Sequence, residues 1–121
     1  MLKIAKQVQK KIKNVAFVVI GDGSQKEELI SATKTMELDN TVYFLGSKNE
    51  VRPYYKDTKV TLICSIKEGL ALTAYESCAM GVPVVSADVG GQKDLIDSSV
   101  GKLIPFMLDE DKHFDSRDFS E

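Results

Sequence analysis

The chain has little of two residue types on which enzymatic chemistry often depends. Its 121 residues include one histidine, His113, and two cysteines, Cys64 and Cys78. A single histidine excludes most Ser-His-Asp and Cys-His catalysis, and also metal sites built from several histidines. The cysteines form no C-x-x-C pair, and a structural zinc site would need about four closely spaced ligands. In their apolar surroundings, both cysteines are expected to be buried, reduced thiols.

Long hydrophobic runs are also lacking. The longest unbroken apolar run, 15–20, is far short of the roughly 18–20 residues that a membrane span requires. The first residues have neither the apolar core nor the cleavage site of a signal peptide. With 43% hydrophobic residues and a net charge of −2, the chain can build one core. The expectation is a cytoplasmic, globular domain.

Charge is uneven at the two ends. Residues 1–13 contain five lysines and no acid, whereas residues 109–121 contain six acids and two basic residues. A basic helix face attracts anionic lipid or nucleic acid in some proteins. Here Leu2, Ala5, Val8 and Ile12 recur at helical spacing, which favours a surface helix with its lysines in water. No nucleic-acid partner is expected, and residues 107–121 are interpreted as an acidic tail or linker.

Along the chain, helical and strand patterns alternate. Apolar, β-branched runs predict strands over 16–20, 41–45, 60–64, 82–87 and 101–104, the first of them buried on both faces. Helices are predicted over 2–13, after a Ser24 cap, over 48–57, over 72–80 with Gly81 past its end, and around 92–96. This alternation predicts an α/β fold with a parallel sheet covered by helices on both faces. Ligands of such sheets bind at the carboxyl ends of the strands, which here are followed by loops 21–24, 46–49, 65–72 and 87–91.

Two acids flank the start of the fourth predicted helix. Glu68 lies in the loop before it, and Glu76 lies about one turn into it. The free N–H groups and dipole of a helix start favour an anion such as phosphate. A carboxylate can accept hydrogen bonds from the vicinal hydroxyls of a sugar or ribose. Taken alone, however, two acids at this spacing are more typical of a helix's acidic first turn beside an unrelated loop acid.

The acids belong to a longer pattern. It reads Ser65-x-x-Glu68-Gly69-x7-Glu76-x-x-Ala79-x-Gly81-x-Pro83-Val84-Val85. This pattern resembles the signature of retaining GT-B glycosyltransferases of group 1, family 4-type, which include glycogen, sucrose and mannosyl lipid synthases. Segments 17–23, 42–46 and 90–96, the last followed by Gly101, resemble other motifs of that family in the same order.

The resemblance covers about residues 2–106. It implies the carboxyl-terminal, donor-binding domain of such an enzyme over 1–106, with a Rossmann-like parallel sheet that lacks its amino-terminal strand. By this resemblance, Glu68 is the catalytic residue beside the donor sugar ring, and Glu76 binds the ribose hydroxyls of the nucleotide. The remaining substrate-binding positions implied by the family are Gly69, Leu70, Leu72 and Thr73 at the sugar and diphosphate, Gly21 and Gly23 along the nucleotide, and Gly46 and Asn49 at the base. Neither a metal nor a cofactor is expected, since the nucleotide sugar is the substrate.

Two departures from the family pattern bear on these expectations. Leu70 and Ala71 stand where the family usually has Phe, often followed by Gly, and the Gly-Arg strand and Lys that hold the diphosphate cannot be assigned. The implied function is transfer of a sugar from a UDP-, GDP- or ADP-sugar to an acceptor, by a hexosyltransferase-type enzyme. An acceptor-binding amino-terminal domain is expected upstream, with weak membrane-surface association of the full-length enzyme and no turnover by this chain alone.

Two alternative functions use the same fold. The first is a non-catalytic nucleotide-binding or scaffold module, which the unassigned phosphate-binding cations favour and the presence of both Glu68 and Glu76 disfavours. The second is a sugar-nucleotide epimerase, which needs general acid and base groups that this chain does not show.

Overall fold

The computed structural model describes residues 1–67, 69 and 71–105. In that part of the chain, helices and strands alternate as predicted. Their order is α1 (Leu2–Lys11), β1 (Phe17–Ile20), α2 (Lys26–Thr35), β2 (Val42–Gly46), α3 (Arg52–Tyr55), β3 (Thr61–Ile63), α4 (Leu72–Ala79), β4 (Val84–Ala87), a 3₁₀ helix (Gln92–Asp94) and β5 (Gly101–Ile104). The predicted tail at 107–121, with His113, lies outside the described residues.

All strand pairs are parallel, and they form two hydrogen-bonded ladders. The β1–β2 ladder aligns Phe17 with Val42, and the second ladder has the order β3–β4–β5. The chain divides between Asn49 and Glu50 into two compact units, with one ladder in each. The expectation of a single donor-binding domain over 1–106 stays a prediction.

The first unit is built on α1 and the β1–β2 ladder. Leu2, Ala5, Leu38 and Val42 form its buried core. Burial of β1 on both faces was wrong: Val18 is 51% exposed, and its ladder partner Tyr43 is 44% exposed. The predicted apolar face of α1 is confirmed at Leu2 and Ala5, but it does not extend to Ile12, which is 53% exposed, because the helix ends at Lys11.

The second unit packs α4 against the β3–β4–β5 ladder. Its core consists of Ile63, Ala71, Ala74, Val84 and Ile96. Ser77 lies on the inner face of α4 and is fully buried. Its hydroxyl donates to the Val82 carbonyl at 2.8 Å and lies 2.7 Å from Thr61 Oγ1. This hydroxyl therefore links α4 to the first residue of β3 and to the segment that leads into β4.

The carboxyl end of α4 confirms the predicted stop at Gly81. Gly81 has φ +71°, a conformation that glycine adopts without steric cost. Its N–H donates to Cys78 O at 3.0 Å, and Val82 N–H donates to Ser77 O at 2.9 Å. This pair of bonds is the Schellman motif, which satisfies carbonyls that the helix end would otherwise leave free.

Two helix starts differ from the prediction. Helix α2 begins at Lys26 after a Gln25 cap rather than after Ser24, and no side chain caps it. The Lys26 N–H donates instead to Gly23 O at 3.1 Å, so the turn after β1 continues farther than expected. Helix α3 covers only Arg52–Tyr55 within the predicted 48–57, because Glu50 accepts a hydrogen bond from Arg52 N at 3.1 Å just before it.

Candidate functional site

The start of α4 is the candidate binding surface of the second unit. Ala71 precedes the helix with extended backbone (φ −79°, ψ 100°), and its side chain supplies no cap. The first backbone bond of the helix is donated by Ala74 N to Ala71 O at 2.8 Å. The N–H groups of Leu72 and Thr73 precede it, and they are the groups that a helix leaves available to an anion.

An open hollow of about 450 Å³ lies beside this helix start. It is lined by the end of β3 and the beginning of α4: Leu62, Ile63, Cys64, Ser65, Ala71, Leu72 and Thr73. The structure thus brings the predicted residues Leu72 and Thr73 to one cavity at the carboxyl end of a strand. Leu72 is 70% exposed, which leaves a large apolar side chain at the rim.

Glu76 lies one turn farther along α4 and is exposed. Its Oε2 is 3.5 Å from the hydroxyl of Tyr55, the last residue of α3. The same hydroxyl lies 3.5 Å from the Thr73 carbonyl oxygen, so it is shared between two acceptors. Burial raises the pKa of the Tyr55 hydroxyl, and the negative charge of Glu76 raises it further. The hydroxyl therefore stays protonated and donates.

The loop before α4 is held at Gly69. Its carbonyl accepts a hydrogen bond from Gly91 N at 2.9 Å, which joins it to the loop after β4. Two of the loops at the carboxyl ends of the second ladder are therefore linked. Glu68 and Leu70 lie outside the described residues, so their roles stay predictions.

The predicted nucleotide-facing residues Gly21, Gly23, Gly46 and Asn49 all lie in the first unit. Gly21 N donates to Gly46 O at 2.9 Å, which joins the ends of β1 and β2. Gly46 has φ +69°, and a Cβ there would lie 3.3 Å from Asp22 Oδ2, so both backbone and space favour glycine. Gly23 and Asn49 are exposed, and a Cβ at Gly23 would meet nothing within 4 Å.

Asp22 fastens these two loops together. Its carboxylate accepts a hydrogen bond from Ser47 N at 2.6 Å and forms an ion pair with Lys26. The Lys26 hydrogen bond, followed by that from Ser47, lowers the pKa of Asp22 to about 2. The Asp22 carboxylate therefore joins the loops after β1 and β2, which contain the predicted positions.

Sequence reasoning missed Tyr55, Asp22 and Lys26. The Asp22–Lys26 pair had a readable signal, since an acid and a lysine four residues apart meet at the start of a helix. Tyr55 had none, because it lies 21 positions before Glu76 in the sequence, in a different helix.

Two features that the described residues lack bear on the remaining expectations. No three His, Cys, Asp or Glu side chains in that part of the chain lie close enough together to hold a metal ion. Metal-independent chemistry stays a prediction. Across the same residues, no helix combines the length and apolar composition that crossing a bilayer requires.

Comparisons with known proteins cover most of the chain. The sequence profile of the family described as glycosyl transferases group 1 matches residues 1–112. An uncharacterized glycosyltransferase of Haemophilus influenzae is 29% identical over 98 residues, which are 80% of this chain and 28% of that protein. The GtfA subunit of the UDP-N-acetylglucosamine–peptide N-acetylglucosaminyltransferase of Streptococcus agalactiae is 31% identical over 101 residues, 82% of this chain and 20% of that protein.

The fold of the chain is also similar to that of a glycosyltransferase of known structure. The pneumococcal O-GlcNAc transferase GtfA, crystallised with UDP and GlcNAc, matches with a TM-score of 0.80 and 26% identity over 90% of this chain and 22% of that one. This likeness confirms the Rossmann-like α/β fold. The chain spans about a quarter of the length of the curated relatives it matches.

Proposed function

Because the chain belongs to the group 1 glycosyl transferases, we propose that it is the nucleotide-sugar-binding part of a retaining, hexosyltransferase-type enzyme. The observation that carries this proposal is the α4 helix start, where uncapped N–H groups, a 450 Å³ hollow and the Glu76 carboxylate occur within one helix and the strand before it. The donor is a UDP-, GDP- or ADP-sugar, and UDP is the first candidate because a relative's name and a neighbour's bound ligand both include it.

Each group at the helix start has a chemical part in donor binding. The N–H groups of Leu72 and Thr73 donate to diphosphate oxygens, and the helix dipole favours the negative charge there. Glu76 accepts hydrogen bonds from the two ribose hydroxyls, which a carboxylate with two oxygens can do at once. During transfer, the same N–H groups stabilise the charge that develops on the leaving diphosphate. We assign the position beside the donor sugar to Glu68.

Acceptor binding and completed transfer belong to the longer protein. The matched relatives are about three times the length of this chain, so the acceptor site is proposed to lie in their additional residues. This chain alone is therefore proposed to bind a donor without transferring its sugar, and with no metal or other cofactor.

Nucleotide binding is tested by thermal unfolding with UDP, GDP and ADP at millimolar concentration. We expect one of them to raise the melting temperature, because a ligand that binds only the folded state stabilises it. Glu76→Ala should strongly reduce that rise by removing the ribose acceptor.

Asp57→Ala is the matched control. It removes an exposed carboxylate of the same unit, and the nucleotide-dependent rise should remain. If no nucleotide shifts the wild-type melting temperature, or if Glu76→Ala responds as strongly as wild type, the proposed function is wrong for this chain.

A further inference from the structure

We propose that Tyr55 is a positioning residue for donor binding: its hydroxyl holds one oxygen of Glu76 so that the other is presented to the ribose diol. This inference rests on the proposed function, because it assumes that Glu76 accepts hydrogen bonds from a ribose. Nothing in the motif around Glu76 includes Tyr55, which comes from a different helix.

The two oxygens of the Glu76 carboxylate have different surroundings. Oε2 lies 3.5 Å from the Tyr55 hydroxyl. Among the described residues, no side chain or backbone group donates a hydrogen bond to Oε1. A ribose diol has two donors, so it can bind Oε1 fully and share Oε2 with the tyrosine.

Tyr55 is suited to hold Glu76 because it is the less mobile partner. Glu76 is exposed on the surface of α4, and a free glutamate would lose much rotamer freedom on binding a ligand. Tyr55 is half-buried, and its side chain has only two rotatable bonds before the rigid ring. An anchor that orders the carboxylate beforehand reduces the ordering that binding must accomplish.

The contact is long because one O–H is shared between Glu76 and the Thr73 carbonyl, both at 3.5 Å. Hydrogen bonds in unliganded sites are often long and shorten when the ligand is bound. Thr73 also lies at the helix start proposed for the diphosphate, so the hydroxyl spans the phosphate and ribose ends of α4. The neutral Tyr55 hydroxyl suits this position because it orients the Glu76 carboxylate without competing with the ribose hydroxyls for it. A lysine or arginine would bind the carboxylate more strongly and would compete with the ribose.

The experiment compares Tyr55→Phe with wild type by isothermal titration of two ligands. The first ligand is UDP, or whichever of UDP, GDP and ADP binds best, and the second is its 2′,3′-dideoxy form. Loss of one long, shared hydrogen bond should weaken binding of the ribonucleotide roughly fivefold to tenfold. The dideoxy ligand lacks the diol that Glu76 binds, so its affinity should change by less than about twofold. A purely structural role of Tyr55 would weaken both ligands equally.

Tyr54→Phe is the matched control. Tyr54 is the preceding residue of the same helix, is also half-buried, and its hydroxyl has no hydrogen-bond partner among the described residues. It should leave both affinities unchanged. In Glu76→Gln, the further loss caused by Tyr55→Phe should be smaller than in wild type, because the two residues act as a unit.

The possible failures are distinguishable. If wild type binds the ribonucleotide in a Glu76-dependent way and Tyr55→Phe binds it equally well, the positioning role is wrong and the proposed function stands. Equal weakening of the ribose and dideoxy ligands also overturns the positioning role. If wild type binds none of the three nucleotides, the proposed function is wrong and this inference with it.

Discussion

Gly101→Ala is expected to prevent stable folding of the second unit. Gly101 is the first residue of β5 and pairs with Val84 of β4, and a Cβ there would lie only 2.0 Å from the Val84 carbonyl oxygen. That oxygen belongs to the backbone of the central strand of the ladder, so no side-chain rotation relieves the clash. The expected loss is about 4 kcal/mol or more, the range of the most damaging single substitutions. Urea unfolding followed by far-ultraviolet circular dichroism measures it.

The clash cannot be avoided by a small shift of β4. Its neighbours on both sides hold it in place: Thr61 N donates to Pro83 O at 2.9 Å on the β3 side, and Val84 N donates to Val100 O at 3.0 Å on the β5 side. Moving Val84 would break these bonds. Since native domains have a net stability of about 5–15 kcal/mol, a loss of this size removes most of the margin.

Gly69→Ala is the control for Gly101→Ala. It lies in the same unit, and a Cβ there would meet nothing within 4 Å. Its unfolding midpoint should differ from that of wild type by about 0.5 kcal/mol or less. If Gly101→Ala unfolds at the wild-type urea concentration, the β4 and β5 backbones lie farther apart than the structure places them.

Gly101 also shows what the sequence could and could not predict about the fold. The apolar runs located all five described strands, because β-branched and aromatic residues favour extended backbone and pack well on a pleated surface. The pattern around Gly101 resembles a family motif, which indicated that a glycine is required at this position. Glycine is needed at position 101 because β4 lies close to β5 there, and local sequence patterns do not specify the distance between two strands. For the same reason, hydrophobic patterns predicted parallel strands but not their division into two ladders.

In the candidate site, too, some features could be predicted from the sequence and others could not. Leu72 and Thr73, which the resemblance placed at the donor, line the hollow at the carboxyl end of a parallel strand, where ligands of α/β folds generally bind. Their contact with a donor stays a prediction. The contact between Tyr55 and Glu76 joins two helices across 21 residues of sequence. Neither residue carries a local signal for it, since tyrosine on a helix face is ordinarily a packing residue. Only the tertiary structure reveals that its hydroxyl reaches an acid.

Gln92 is a second residue whose environment was not predictable. It begins the 3₁₀ helix after Gly91 and is only 2% exposed. Its backbone is satisfied, because its carbonyl accepts hydrogen bonds from Leu95 N at 3.2 Å and Ile96 N at 2.9 Å. Its side-chain Nε2, however, has no hydrogen-bond partner among the described residues. A buried donor without a partner costs about 1–3 kcal/mol of stability.

Gln92→Met is therefore expected to stabilise the chain by about 1–3 kcal/mol, because methionine has a similar shape and no donor to desolvate. For a unit of this size, each kcal/mol raises the melting temperature by about 4–8 °C. Differential scanning calorimetry without any nucleotide measures the change. The expected sign is unusual, since most substitutions of buried residues destabilise a protein.

Gln92→Glu separates the missing partner from simple packing. Glutamate keeps the shape of glutamine but introduces a charge at a position that is only 2% exposed, so the melting temperature at neutral pH should fall well below that of wild type. If Gln92→Met lowers the melting temperature instead, Nε2 has a partner in solution and removing it leaves that partner unsatisfied. The two variants together decide whether the buried amide costs stability or contributes a contact. An amide without a partner moves the two melting temperatures in opposite directions, whereas an amide with a partner in solution moves both of them down.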